Sequence, residues 1–196
     1  MPGSEAFALG IVLYFFAVGF LIGYLWTRFY FQTALSRMAD YANFMVEVAR
    51  RVDTAWFDAT EAEVLLNDNQ LQAAMQVVDQ ALRLNPANAK ALFTKARVLK
   101  RSAQLTGKPG DKDLLKKAID YVSQALHLMQ NRAAPLYNLA CYQALLGIDK
   151  SEVLNNLKQA IQLNPPYRAE ALKDEDFVSL REDAEFKEIT KALEAN

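Results

Sequence analysis

The sequence is poor in the residues that carry out chemistry. Its 196 residues include one cysteine, Cys141, and one histidine, His127. A single cysteine excludes an internal disulfide and a cysteine-based zinc cluster. A single histidine excludes a site with two histidine ligands. The sequence offers no nucleophile with a paired base, no phosphate-binding loop and no calcium-loop spacing. It therefore predicts a protein that is not an enzyme, with no catalytic residue, cofactor or metal.

The chain also lacks a strong net charge. Its formal charge is −1 and its pI is about 5.9. No overall basic field points to nucleic acid, so we expect no nucleic-acid partner. The mean hydropathy of −0.05 averages a very apolar N-terminus with a more polar remainder.

Residues 6–26 form an apolar run with no charged residue, AFALGIVLYFFAVGFLIGYLW. As a helix, this run spans the roughly 30 Å hydrocarbon core of a bilayer. A buried core helix is disfavoured because so small a chain cannot surround it on all sides. A cleaved signal peptide is disfavoured because Glu5 is the charge before the run, where a basic region is expected. We predict an N-terminal tail and transmembrane helix over residues 1–27.

The flanking charges predict the orientation of this helix. No Lys or Arg precedes it, whereas Arg28 and Arg37 follow it. The positive-inside rule then puts the N-terminus outside and the C-terminal bulk in the cytoplasm, with a bacterial inner membrane as the expected location.

Two glycines inside the run have the spacing of a helix-packing motif. Gly19 and Gly23 are separated by three residues, which lets two membrane helices approach closely. This pair predicts either a homodimer contact or a surface that faces lipid or another subunit.

Residues 28–54 predict an amphipathic helical stalk. From Arg28 to Asp58 there is neither Gly nor Pro to end a helix. Apolar residues recur there with alternating spacings of four and three, at Phe31, Leu35, Met38, Ala42, Met45, Ala49, Val52 and Trp56. This seam predicts either a parallel coiled coil or packing against the rest of the chain or a partner. Further apolar residues beside the seam favour the second alternative.

Three later segments repeat one pattern. They are AMQVVDQALRLNP at 74–86, AIDYVSQALHL at 118–128 and VLNNLKQAIQLNP at 153–165. This pattern resembles the tetratricopeptide repeat family, whose unit of about 34 residues is a helical hairpin. The resemblance covers residues 55–165, in repeats 55–88, 89–133 and 134–165. The second repeat lacks the closing proline and is longer than one repeat unit. Its additional residues fall at 106–113 and form either a binding loop or a surface insertion.

The resemblance implies an all-α fold, a short solenoid of about three helical hairpins that follows the membrane helix and stalk. Residues 166–196 are similar to the capping segment of bacterial members of the family. The apolar residues expected to cover the last repeat, while the acidic residues face water, are Phe177, Leu180, Phe186, Ile189 and Leu193.

The resemblance also implies a groove lined by the first helix of each repeat. In the repeat register, the residues that face it are Lys90, Arg97, Arg101, Asn138 and Tyr142. A cationic groove predicts an acidic peptide or a C-terminal carboxylate as ligand; the alternative is a solvated basic helix face. Cys141 is expected to be buried, because this position needs a small residue for close helix packing.

Two functions follow from this organisation. The first is a non-enzymatic membrane-anchored adaptor or assembly factor that binds a protein partner at the cytoplasmic face. The alternative is a structural accessory subunit, held in a larger membrane complex through its transmembrane helix and stalk.

Overall fold

In a computed structural model, the chain is helical throughout the part described, and that part contains no β-strand. The description covers the backbone of residues 3–105, 111–129 and 132–191, and the side chains of the same residues from Leu13 onward. Most of the predicted insertion at 106–113 lies outside the described residues. The helices are α1 (Gly3–Asn67), α2 (Leu71–Leu84), α3 (Ala89–Leu105), α4 (Lys112–Leu128), α5 (Ala133–Leu146), α6 (Lys150–Leu163), α7 (Tyr167–Lys173), a 3₁₀ helix (Glu175–Leu180) and α8 (Ala184–Thr190).

The chain divides into two compact units, Met1–Arg50 and Arg51–Asn196. Helix α1 contributes residues to both units and has no break at position 28 or 54, where the sequence places the edges of the stalk. The absence of Gly and Pro between Arg28 and Asp58 explains this continuity, since neither a flexible nor a helix-breaking residue interrupts the backbone hydrogen bonds.

The first unit consists of α1 residues whose large apolar side chains are exposed. Phe16 and Phe20 are 76% and 81% exposed, and Trp26 is 69% exposed. Among the described residues, α1 is the one helix long and apolar enough to cross a membrane. Such a surface is unfavourable in water and suited to hydrocarbon.

In the second unit each helix from α2 to α6 packs against the next one along the chain. Each copy of the repeated pattern buries three residues, spaced by four and then three positions, namely Ala74, Val78, Ala81, Ala118, Val122, Ala125, Val153, Leu157 and Ala160. Alanine at five of these nine positions lets the helix backbones approach closely.

Local signals in the sequence set the helix ends. Helices α2 and α6 end at Leu84 and Leu163, and the next residues, Asn85 and Asn164, take extended conformations ahead of a proline. The carboxylate of Asp111 accepts hydrogen bonds from the backbone N–H groups of Asp113 and Leu114, which caps α4. These signals mark the ends of α2 and α6 and the start of α4.

The C-terminal segment joins the core of the second unit. Phe177 and Phe186 are fully buried, and Leu180 and Ile189 pack partly against the same core. Leu193 lies outside the described residues. The expectation that the acidic residues of this segment face water is wrong for Asp176, which is 5% exposed. The reason is an ion pair, because Lys100 Nζ lies 2.7 Å from Asp176 Oδ2.

Candidate functional site

A cavity of about 360 Å³ lies in the second unit, where the end of α1 and the turn after it face the C-terminal half of α3 and the middle of α5. The residues that line it are Leu66, Asn67, Asn69, Arg97, Lys100, Arg101, Gln104, Asn138 and Tyr142. Four of the five residues predicted for the groove are in this set: Arg97, Arg101, Asn138 and Tyr142. Most of the lining is amide or cationic, which suits a polar or anionic ligand better than an apolar one.

Lys90, the fifth predicted groove residue, does not line this cavity. Its Nζ lies 3.2 Å from Glu63 Oε2, donates to Thr60 Oγ1 at 3.1 Å and lies 5.5 Å from the centre of the Trp56 ring. These contacts fix Lys90 against the end of α1. Its charge therefore supports the packing of α3 on α1 instead of the cavity.

Arg97 is held by a carboxylate of α1. Its Nη1 lies 3.0 Å from Glu63 Oε1, and its Nη2 donates to Asn67 Oδ1 at 3.3 Å. Because Glu63 is shared with Lys90, one carboxylate balances two cations. The group of Glu63, Lys90 and Arg97 keeps a net positive charge, but protein groups already orient both cations.

Arg101 is presented differently. It follows Arg97 by four residues on α3, so both side chains lie on one helix face. Its Nε donates to Asn69 Oδ1 at 3.4 Å, which is a long contact to a neutral group. Within the described part of the cavity, the charge of Arg101 is therefore left to interact with a ligand.

The turn between α1 and α2 holds the amide opposite Arg101. Asn69 has φ of 60°, in the left-handed region that asparagine tolerates better than most residues. The backbone N–H of the next residue, Gln70, donates to Leu65 O at 2.8 Å and closes the end of the helix. The turn thus holds the backbone of Asn69 in the left-handed conformation and brings its side chain to the cavity.

Asn138 and Tyr142 form the α5 side of the cavity. The Tyr142 hydroxyl donates to Asn138 Oδ1 at 3.0 Å, and Asn138 Nδ2 donates to Ala134 O at 2.9 Å. Tyr142 is 1% exposed, and its burial is the main cause that raises its pKa well above the ordinary value. Tyr142 therefore acts as a buried support that orients the Asn138 amide.

A buried polar cluster lies between α3, α5 and the C-terminal segment. Asp174 Oδ2 accepts from the Tyr137 hydroxyl at 3.0 Å and from the Cys141 thiol at 3.6 Å. Asp176 pairs with Lys100, a residue that also lines the cavity. The cluster thus links the capping segment to the wall of the site.

The protonation of this cluster follows from its burial. Burial, and then the nearby Asp174 charge, raise the pKa of Cys141 well above its ordinary value. Burial also raises the pKa of Asp176, and Lys100 partly offsets this. The Sγ of Cys141 and one carboxylate oxygen each of Asp174 and Asp176 lie within 4.8 Å of one another. With the thiol neutral and the Lys100 ammonium already beside Asp176, this arrangement works as a structural hydrogen-bond network.

Sequence reasoning missed Glu63, Lys100 and the cavity amides Asn67, Asn69 and Gln104. One signal for Glu63 is present, because it precedes Arg97 by 34 residues, the length of the repeat unit that the sequence resembles. Asp176 carries no such signal, since its pairing with Lys100 depends on how the C-terminal segment folds back.

The other predicted interface residues lie on α1. A side chain added at Gly19 or Gly23 would meet no atom of the chain within 4 Å. The predicted stalk residues are also exposed, namely Phe31, Leu35, Met38, Met45, Val52 and Trp56. Comparison with protein families and with curated proteins finds no match to this chain.

Proposed function

We propose that this protein is a membrane-anchored adaptor of the tetratricopeptide-repeat type that binds an acidic segment of a partner protein. The observation that carries this proposal is the cavity lined by Arg97, Arg101 and Asn138. A carboxylate that enters it meets the Arg101 guanidinium and the amides of α1 and α5, groups that donate hydrogen bonds to carboxylate and peptide oxygens.

The arrangement of charge supports a carboxylate ligand over a neutral one. Glu63 and Asp176 balance part of the charge of Lys90, Arg97 and Lys100, while the described contact of Arg101 is to a neutral amide. Arg101 is thus a cation without a carboxylate among its described contacts, surrounded by amides. This arrangement favours a single carboxylate flanked by peptide backbone as ligand, such as an acidic side chain or a C-terminus.

The exposed apolar part of α1 supports attachment to a membrane. By length and composition this helix is suited to cross a bilayer. The flanking Arg28 and Arg37 favour a cytoplasmic second unit. We therefore propose that the cavity serves partners at the cytoplasmic face of the membrane.

The proposal is tested by peptide binding to the full chain in mild detergent. The probe is a fluorescent Asp/Glu-rich decapeptide with a free C-terminal carboxylate, compared with a matched Ser/Gln peptide. We expect Arg101→Ala to weaken binding of the acidic peptide about tenfold, through loss of one charge-assisted hydrogen bond. Binding should also weaken as salt is raised.

The matched control is Arg83→Ala, the same change on the exposed surface of α2 outside this cavity. It should leave peptide affinity unchanged. Single substitution of Arg101 is preferable to loss of Lys90 or Arg97, because either of those changes removes a partner of Glu63. Equal affinity of the Arg101→Ala and unaltered chains for the acidic peptide would contradict the proposed site.

A further inference from the structure

Two neighbouring cations of α3, Lys100 and Arg101, line the same cavity. Arg101 reaches the neutral amide of Asn69 among its described contacts, whereas Lys100 Nζ lies 2.7 Å from Asp176 Oδ2. A carboxylate at this distance from an ammonium is the partner that an acidic ligand would otherwise supply. One of the two neighbouring cations is therefore already occupied from within the chain, by its C-terminal segment.

The local structure of the segment holds Asp176 in this position. The backbone N–H of Asp176 donates to Asp174 Oδ1 at 3.0 Å, which caps the 3₁₀ helix. The next residue, Phe177, is fully buried, and the centre of its ring lies 5.7 Å from that of the Tyr137 ring. A movement of this segment away from Lys100 would expose Phe177 to water, which is unfavourable. The occupancy of Lys100 is thus a fixed feature of the folded second unit.

A second carboxylate lies close to this pair. One carboxylate oxygen each of Asp174 and Asp176 lie within 4.8 Å of each other. The nearby cation Arg181 contacts the Asp174 backbone carbonyl at 3.2 Å and the Glu175 carboxylate at 3.3 Å. The side chains of Lys100 and Asp176 are only 21% and 5% exposed, so water screens their charges weakly. A ligand carboxylate that approached Lys100 would therefore be repelled by the acidic residues of the C-terminal segment.

The two occupied cations of the cavity are neutralised to different extents. Arg97 lies 3.0 Å from Glu63, but Glu63 also holds Lys90, so this group keeps a positive charge. Lys100 has the carboxylate of Asp176 to itself among the described ion pairs. Loss of the Asp176 charge would therefore leave a full positive charge on Lys100, directly beside Arg101.

We propose that Asp176 is a specificity-determining residue of the cavity, because it occupies Lys100 and so limits the cavity to one ligand carboxylate. This inference rests on the proposed function, the binding of an acidic segment at Arg101. It narrows the partner to a segment with one acidic side chain or C-terminus at this point of contact. A second carboxylate on the segment adds little to its affinity.

The test is a series of three fluorescent decapeptides that differ in their number of carboxylates. Each is acetylated and amidated at its ends and consists of Ser and Gln around a central Asn-Ser-Asn, Asp-Ser-Asn or Asp-Ser-Asp. In an extended peptide the two outer residues of this triplet lie on the same side, so both can face neighbouring cations. Binding to the purified full chain in mild detergent is measured at neutral pH and physiological salt.

In the native chain, the first carboxylate should strengthen binding about tenfold, and the second should change it by less than about threefold. Asp176→Asn keeps the shape of the side chain and removes its charge. In this variant the second carboxylate should strengthen binding about tenfold, through the released Lys100. Addition of Lys100→Gln to Asp176→Asn should abolish this gain, because the cation is then missing.

The matched control is Asp183→Asn, the same change at a carboxylate that pairs with Lys150 at 2.6 Å and does not line the cavity. It should leave all three affinities unchanged. Slow labelling of Cys141 by maleimide verifies that the core around Asp176 stays folded in each variant. An ion pair with a structural role alone would alter stability without altering the ratio between the peptides.

The peptide series distinguishes failure of this inference from failure of the proposed function. If the first carboxylate gives the native chain no gain, the proposed function is overturned and this inference with it. A gain of about tenfold from the second carboxylate in the native chain overturns only the role of Asp176, whatever the folding of the variants. The same ratio between the peptides in folded Asp176→Asn as in the native chain overturns it as well.

Discussion

The two units of this chain use apolar residues in opposite ways. In Met1–Arg50, large side chains such as Phe20, Trp26 and Phe31 are exposed. In Arg51–Asn196, the contacts between helices are filled mainly by alanine, valine and leucine, while Phe177 and Phe186 are fully buried. The second unit satisfies its hydrophobic surface within the chain. The first unit leaves its surface for lipid or another chain to cover.

An apolar pattern in the sequence therefore carries two kinds of information, the spacing of its residues and the size of their side chains. The same spacing of four and three residues occurs at Ala74, Val78 and Ala81, which are buried, and at Phe31, Leu35 and Met38, which are exposed. The spacing identifies a helix face in both cases. The size of the side chains differs between the two faces. Alanine permits close approach of helices of the same chain, whereas bulky residues require a partner with matching space.

The largest expected effect contrasts one buried and one exposed phenylalanine. Phe177→Ala should lower the free energy of unfolding by about 3–5 kcal/mol, because it leaves a cavity in the core of the second unit. Phe44→Ala, at a site 62% exposed, should change it by less than about 0.5 kcal/mol. Urea unfolding of the full chain in detergent, followed by circular dichroism, measures both. Similar losses for the two variants would contradict the comparison.

The next effect concerns cysteine accessibility in the two units. Cys141 is 3% exposed and its pKa is raised by burial, so its thiol is both shielded and protonated. We expect maleimide to label it at least about 100-fold more slowly in the folded chain than in urea. Asp40→Cys, on the polar side of the stalk, should label at nearly the same rate in both conditions. Rapid labelling of folded Cys141 would show that the core of the second unit opens readily.

The smallest effect tests the ion pair that attaches the C-terminal segment. Asp176→Ala should lower the free energy of unfolding by about 2 kcal/mol, because it leaves the Lys100 ammonium partly buried without its partner. The loss falls short of that for a fully buried pair, since the Lys100 side chain is 21% exposed. Glu182→Ala, which removes the exposed partner of Lys187, is the control and should leave the urea midpoint unchanged. A shift in the control as large as that of Asp176→Ala would rule out burial as the cause.

Much of the second unit was predictable because local signals decide it. The prolines at 86 and 165 follow the ends of α2 and α6, and the repeated alanines lie at buried contacts. The repeat family and the groove remain predictions. Four of the groove residues line one cavity, because positions four apart on a helix share a face. The contact of Lys90 with Trp56 and Glu63 was not predictable, since it depends on how α3 lies against the end of α1.

By itself, the sequence determined which segments are helical, where several helices end, which faces are apolar and which stretch is suited to a membrane. These properties follow from residue type and spacing, which act within a few turns of helix. Only the tertiary structure decided which charges are already balanced. Glu63 holds Lys90 and Arg97, and Asp176 holds Lys100, while Arg101 reaches only the amide of Asn69 among its described contacts. These pairs join residues about 30 to 80 positions apart along the chain, and packing between helices alone brings such distant groups within reach of one another.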